Sequence, residues 1–215
     1  AGLRDIDLSD GVRREDWIVS IGQFRPEKDH ALQIRAFALL LEKLEGTTAA
    51  RSEEGGVELV LIGSCRNKED EGRVTALEAL AAELGVASRV KFVLNEPYPT
   101  LKRYLARGSI GLHTMWNEHF GIGVVEMMAA GLVTVAHNSG GPKMDIVRDG
   151  ETGYLARTAE EYADVMATVL KRGEKENVVM RRKARESAER FSDEVYSESF
   201  REAVLRSGIL DGIRT

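Results

Sequence analysis

Short unbroken apolar runs alternate with longer stretches of helical periodicity along most of this chain, and that alternation restricts it to one broad architecture. Trp17-Ile18-Val19-Ser20-Ile21-Gly22 reads as a buried strand ending at a glycine. His30 to Leu44 follows, with apolar residues at Leu32, Ile34, Phe37, Leu40, Leu41 and Leu44, the stripe of a helix packed on one side. Further strands are expected at Val57 to Ile62, Val90 to Leu94, Ser109 to Leu112, Leu132 to Ala136 and, briefly, Gly153 to Leu155. Helices are expected from Arg73 to Leu84, stopped by Gly85, from Pro99 to Arg107, and over the segment that ends at Gly131. Pro142 opens another short one. A strand that is apolar at successive positions is covered on both faces, so the fold class is α/β, a Rossmann-like doubly wound parallel sheet.

With 215 residues, 43% of them apolar, the chain builds one good core. We expect one domain over residues 17–190, since Ala1 to Asp16 is polar and aperiodic and reads as an interdomain linker. Glu160 to Ser207 is helical in pattern, with a break near Arg172-Gly173. The chain opens with Ala1 and is expected to be a piece of a longer protein. A net charge of −5 leaves no basic footprint, which argues against nucleic acid as a partner. Arg181, Arg182, Lys183 and Arg185 lie among Glu174, Glu176, Glu186 and Glu189, the pattern of a solvated helix face. The single cysteine, Cys65, excludes an internal disulfide framework and follows a strand, so a packing role is expected. No apolar run reaches membrane-spanning length and no signal peptide is visible.

Ligands of doubly wound sheets bind beyond the carboxyl ends of the strands, and the chemically loaded residues follow strands here. Asn117 to Gly131 places Glu118 just before the turn Phe120-Gly121-Ile122-Gly123 and Glu126 inside the helix that follows. That helix aims unpaired N–H groups and the positive end of its dipole into the turn. Amides hold phosphate and carboxylates accept from sugar hydroxyls, so a nucleotide-sugar fits the site. Glu126 stands among Val124, Val125, Met127, Met128 and Ala129, an unusual place for a purely solvated carboxylate. Gly22-Gln23-Phe24-Arg25-Pro26-Glu27-Lys28 lacks the three glycines of a dinucleotide fingerprint but supplies two cations, Arg25 and Lys28, at a helix start. Cations there oppose the dipole and point to an anion nearby, the alternative being plain surface charges. Gly140-Gly141-Pro142 permits close backbone approach to a ligand or forms a tight turn. Asp5-Ile6-Asp7 has no strand to position it as a metal pair, and His30, His113, His119 and His137 lack metal-ligand spacing, so no metal site is expected. His113 and His119 are expected to line the cleft, and His30 to be structural.

Taken together, Trp17 to about Phe200 resembles the C-terminal nucleotide-sugar domain of the family 4 retaining glycosyltransferases, which have the two-domain GT-B fold. The motifs are Gly22 to Lys28, the pair Glu118 and Glu126, and Gly140-Gly141-Pro142. The longer text from Gly111 to Glu126, with Ala136 to Lys143, is similar to the branch of that family that adds α-1,2-mannose to dolichol-linked oligosaccharides. The resemblance implies GDP-mannose as donor, no further cofactor, and retention of configuration without a metal. It implies a dolichyl-pyrophosphate oligosaccharide acceptor held by an absent N-terminal domain, at the cytosolic face of the endoplasmic reticulum, in assembly of the N-glycan precursor. By that resemblance Lys28 neutralises the diphosphate beside Gly22, with Arg25 reaching it in place of the family's arginine, which is Gln23 here. Glu118 holds the sugar, Glu126 the ribose, and the amides of Phe120, Gly121, Ile122 and Gly123 meet phosphate and sugar. The segment 191–215 is expected to be a helix returning to the N-terminal domain, with Phe191, Val195, Phe200, Val204 and Leu205 partly exposed. The alternatives are a family 4 transferase with another donor, such as UDP-glucose, and a nucleotide-binding module without catalysis.

Overall fold

The computed structural model describes residues 3–8, 14–45, 56–172 and 174–191. Within them one all-parallel sheet forms from β1 (Glu15–Ile21), β2 (Glu58–Gly63), β3 (Val90–Leu94), β4 (Gly108–Leu112), β5 (Val133–His137) and β6 (Tyr154–Ala156). The strand order is β3-β2-β1-β4-β5-β6. The flanking helices are α1 (His30–Leu44), α2 (Lys68–Glu83), α3 (Tyr98–Arg107), α4 (Ile122–Ala129), α5 (Ala159–Lys171) and α6 (Glu174–Ala188). The expected Rossmann-like doubly wound sheet is therefore the one that forms.

Both faces of the sheet are buried, and the strand register shows how. Ile18, Leu59, Leu61, Ile110 and Leu112 enter one core together with Phe37 and Leu40 of α1 and Tyr162 and Met166 of α5. Their neighbours in sequence, Val19, Val60 and Ile62, enter the opposite core with Leu105 of α3 and Met127 of α4. A third cluster joins α4 to α6 through Val124, Met128, Ala184 and Ala188. Successive residues of a strand point to opposite faces, so a strand covered twice is mostly apolar at successive positions, with only small polar side chains such as Ser20 and Thr134 admitted between.

Besides shifts of one or two residues at strand and helix ends, three departures from expectation have local reasons. α2 begins at Lys68 rather than Arg73, because Asn67 caps it by accepting from the Asp70 N–H at 3.0 Å. Glu69, Asp70 and Glu71 fill its first turn, where the dipole favours acids, and such a turn carries no apolar stripe to read. Pro142 opens a single wide turn, Pro142–Ile146, instead of a regular helix. The first sixteen residues, expected to be a linker, are anchored at two of the described positions. Ile6 is buried, and Arg185 donates to its carbonyl at 2.7 Å. Arg14 is also buried, donating to the carbonyls of Leu105 and Gly108 at 3.0 and 2.8 Å and of Ala130 at 2.8 Å. It thereby satisfies carbonyls at the ends of α3 and α4, where a cation is favoured. Hydrophobic periodicity carries no trace of such an anchor. Most of the segment 191–215, including Val195, Phe200, Val204 and Leu205, lies outside the described residues, while Phe191 meets Phe120 edge-on at 5.5 Å.

His30, at the start of α1, is buried and stacked on Phe24 with ring centroids 4.8 Å apart. Burial, and then the nearby Lys28 charge, lowers its pKa from 6.5 to about 4. The folded chain therefore binds fewer protons here than the unfolded chain between those values. Stability is complete above pH 6.5 and falls as the pH drops towards 4, by about 3 kcal/mol from this group alone. Urea denaturation at pH 7 and pH 4.5 checks this. The expected result is a steep loss in the parent chain and a much flatter profile for His30→Leu; equal slopes would assign the loss to other groups.

Candidate functional site

β1 and β4 are neighbours whose connections leave in opposite directions, and the loops at their carboxyl ends part to form a cleft of about 430 Å³. Its walls are Gly22 and Lys28 from the β1–α1 connection, Ile122, Gly123 and Glu126 of α4, and Ser64, Asn95 and Glu96 beyond β2 and β3. One floor of this cleft is the start of α4, where the Val124 and Val125 N–H groups donate to the Gly121 carbonyl at 2.9 and 3.2 Å and those of Ile122 and Gly123 come before the first such bond. Gly121 caps that helix with φ +97°, a backbone region that costs glycine little.

Lys28 closes the single turn Pro26–Lys28. Its position is set from β4: the Thr114 hydroxyl donates to the Lys28 carbonyl at 2.8 Å, and Gln33 donates to the same hydroxyl at 2.8 Å. The Lys28 ammonium donates to Glu118 Oε2 at 2.6 Å and lies 3.2 Å from the Met115 sulfur. His113 Nε2 stands 3.6 Å from the same carboxylate oxygen, just beyond hydrogen-bond distance. The His113 imidazole and the Lys28 ammonium hold the Glu118 carboxyl down to about 2, against partial burial that raises it. Glu118 is thus ionised at neutral pH. Glu126 is the opposite case, since burial in the cleft wall pushes its carboxyl up. One cleft therefore holds two carboxylates in unlike settings, one matched by a cation and one waiting for donors.

The loop before α4 is braced by the turn after β5. The Gly141 N–H donates to the Glu118 carbonyl at 2.7 Å, and Gly140 has φ +55° with no room for a side chain, a Cβ there falling 2.3 Å from that same oxygen. Ser139 accepts from the Asn117 N–H at 2.8 Å and contacts His137 Nδ1 at 2.8 Å. These two glycines, read from sequence as ligand approach or tight turn, pack backbone on backbone and fix where Glu118 stands.

Of the residues singled out in the sequence, Gly22, Lys28, Ile122, Gly123 and Glu126 line the cleft. Glu118 joins them through Lys28, and Gly121 joins as the helix cap. Phe120 is 45% exposed and turns to Phe191 rather than into the cleft wall. Arg25 is not among the cleft-lining residues; it borders a different cavity against α2 and lies 3.8 Å from Glu27. His113 is buried at Glu118, with its carbonyl held by the Tyr162 hydroxyl at 2.9 Å, whereas His119 is exposed. Sequence reasoning missed Thr114, Gln33 and Ser139, which position others, and Asn95, whose side chain clamps both backbone groups of Cys65 at 2.9 and 2.8 Å. Thr114, Ser139 and Asn95 have as signal only a place just after a strand, shared by many residues without a role, and Gln33 lies inside α1 with no signal at all. Among the described residues no group of three or more His, Cys, Asp or Glu side chains could hold a metal ion. Nor is any helix there long and apolar enough to cross a membrane.

Known proteins place this geometry. Residues 11–187 match the family described as glycosyl transferases group 1. A protein of Mus musculus named GDP-Man:Man(3)GlcNAc(2)-PP-Dol alpha-1,2-mannosyltransferase is 54% identical over 186 residues, which is 85% of this chain and 37% of that protein. Proteins of the same name from Homo sapiens and Dictyostelium discoideum are 52% and 47% identical over 87% and 89% of this chain. The chain spans 37–38% of the length of these three relatives. The fold is also that of the Anabaena protein HepE in complex with UDP and glucose, with a TM-score of 0.74 at 22% identity over 93% of this chain and 50% of the other. A sucrose-phosphate synthase from Thermosynechococcus elongatus matches with a TM-score of 0.71 at 19% identity, over 92% of this chain and 46% of the other. With a family match across most of its length and relatives more than half identical, the chain belongs to the group 1 glycosyl transferases.

Proposed function

We propose that this chain is the donor-binding half of a retaining α-1,2-mannosyltransferase that takes mannose from GDP-mannose. In this reading the acceptor is a dolichyl-pyrophosphate-linked oligosaccharide at the cytosolic face of the endoplasmic reticulum. The observation that carries the reading is the Lys28–Glu118 contact at 2.6 Å, set beside the N–H groups of Ile122 and Gly123 at the start of α4 and the carboxyl of Glu126, which burial raises. The names of the relatives supply the donor, the acceptor and the linkage.

Each group then has a task. Lys28 and the α4 amides face the diphosphate, Gly22 leaves room for it, Glu126 accepts from the ribose hydroxyls, and Glu118 accepts from the sugar. Lys28 and Glu118 satisfy each other, so donor binding exchanges that ion pair for phosphate on the lysine and hydroxyls on the carboxylate. As the bond to the anomeric carbon stretches, negative charge grows on the departing diphosphate, where Lys28 and the helix N-terminus stabilise it. The acceptor is held by the N-terminal half, and the reaction proceeds without a metal.

Glu126→Ala is expected to weaken GDP binding by about 1–3 kcal/mol, the loss of charged hydrogen bonds to the ribose. Glu118→Ala is expected to spare GDP and to weaken GDP-mannose. Calorimetric titration of both ligands separates the two roles: an unchanged GDP affinity for a folded Glu126→Ala variant removes that residue from the site. Equal losses of both ligands in Glu118→Ala contradict its assignment to the sugar.

If Lys28 stands where a metal otherwise would, GDP binding persists in excess chelator and weakens as salt rises. Lys28→Ala then weakens GDP more than guanosine, and a strict requirement for magnesium would overturn this part of the reading. A preference for UDP over GDP would favour a UDP-sugar transferase, and failure to bind any nucleotide a module without catalysis.

Holding an acceptor in attack geometry contributes as much as roughly 7–11 kcal/mol to such reactions. Incubated with GDP-mannose and a lipid-linked acceptor, this chain alone is expected to transfer no mannose. Transfer at a rate comparable to that of the full-length relatives would mean that the site is complete within these residues.

A further inference from the structure

The cleft carries a third acid to which the roles above give no task. Glu96 lies on its wall just beyond β3, with Ser64 beyond β2 and Leu101 of α3. Glu96 follows β3 and Glu118 follows β4, and in the order β3-β2-β1-β4 those strands are three spacings apart, roughly 14 Å. A ligand with its sugar at Glu118, its diphosphate at Lys28 and its ribose at Glu126 therefore carries its base towards Glu96. Leu101 and Ile62, which share one apolar cluster, also line the cleft and offer a flat ring an apolar face.

The backbone of Glu96 is held while its side chain is free. Asn95, just before it, has φ +54°; its side chain clamps both backbone groups of Cys65, and its N–H donates to the Gly63 carbonyl at 3.0 Å. Pro97, just after it, caps α3 and restricts the preceding residue to extended backbone. Glu96 itself is exposed and forms no hydrogen bond or ion pair with any described residue. A cleft for a diphosphate gains nothing from a spare negative charge unless the ligand brings donors to it. Guanine, alone among the common bases, presents two adjacent donors on one edge, N1–H and N2–H, the pattern that the two oxygens of a carboxylate accept. Uracil sets one donor between two carbonyls, and adenine sets a donor beside an acceptor, so each turns lone pairs towards the acid. We propose that Glu96 selects the nucleotide, its carboxylate accepting from N1–H and N2–H of guanine. The proposal rests on the donor-binding reading above and adds to it the residue that reads the base.

Calorimetric titration of the chain with GDP, inosine diphosphate and UDP tests this, because inosine diphosphate is GDP without the 2-amino group. The parent chain is expected to bind GDP about tenfold tighter than inosine diphosphate, the loss of one charge-assisted hydrogen bond, and UDP more weakly than either. Glu96→Ala is expected to weaken GDP about tenfold or more and to bring GDP and inosine diphosphate within about twofold of each other. Glu96→Gln, which keeps the shape but sets an amide donor against the donors of the base, is expected to do the same. A variant that still binds inosine diphosphate is shown thereby to be folded, and the second variant guards against a folding defect in the first. An unchanged preference for GDP over inosine diphosphate in both variants overturns the assignment of Glu96 and leaves the donor cleft standing, as does a parent chain that binds the two equally. Failure of the parent chain to bind any of the three nucleotides overturns the donor-binding reading, and this proposal with it.

Discussion

β1 and β4 lie side by side at the middle of the sheet with helices over both faces, so from Ile18 to Ile21 and along β4 they carry no charge. Everything polar that the chain offers a ligand must stand beyond their carboxyl ends, where the two connections part. That single constraint gathers Gly22, Lys28, Glu118 and Glu126 from distant parts of the sequence. It also explains why the supports of the site are hydrogen bonds to backbone. Thr114 holds the Lys28 carbonyl, Gly141 holds the Glu118 carbonyl, and Tyr162 holds that of His113. A site built on loops is fixed by fastening the loops to one another.

Within that frame the electrostatics divide the two carboxylates. Glu118 sits against Lys28 and His113 and stays ionised far below neutral pH, while Glu126 has its carboxyl raised by burial. A matched carboxylate surrenders its cation only to a ligand that brings both an anion for the lysine and hydroxyls for the acid. A nucleotide-sugar does both. Glu126 gains from any hydroxyl pair that reaches it, since donors restore what burial removes. The cleft thus sets a carboxylate paired with a cation beside one that burial alone governs.

The connection after β1 shows how far proximity in sequence departs from proximity in space. Arg25 and Lys28 bracket one short turn, and their spacing invites a joint role at a single anion. The turn instead presents them to different cavities, with Phe24 and His30 stacked in the core beneath. Arg14 makes the complementary point, because an isolated arginine in a polar stretch fastens the entry to β1 onto the ends of two helices.

The sequence by itself determined the doubly wound sheet, because a strand buried on both faces must be apolar at successive positions and a helix on that face must repeat every third or fourth residue. It also determined that Lys28, Glu118 and Glu126 belong near one helix start, since glycines and charges after a strand have few other uses. What only the tertiary structure decided is which of those groups meet. The Lys28–Glu118 contact, the brace from Gly140-Gly141, the loss of Arg25 to another cavity and the anchoring of residues before β1 all depend on where loops from separate connections come to rest. Those positions follow from long-range backbone hydrogen bonds and packing, and neither has a period along the chain for a sequence to display.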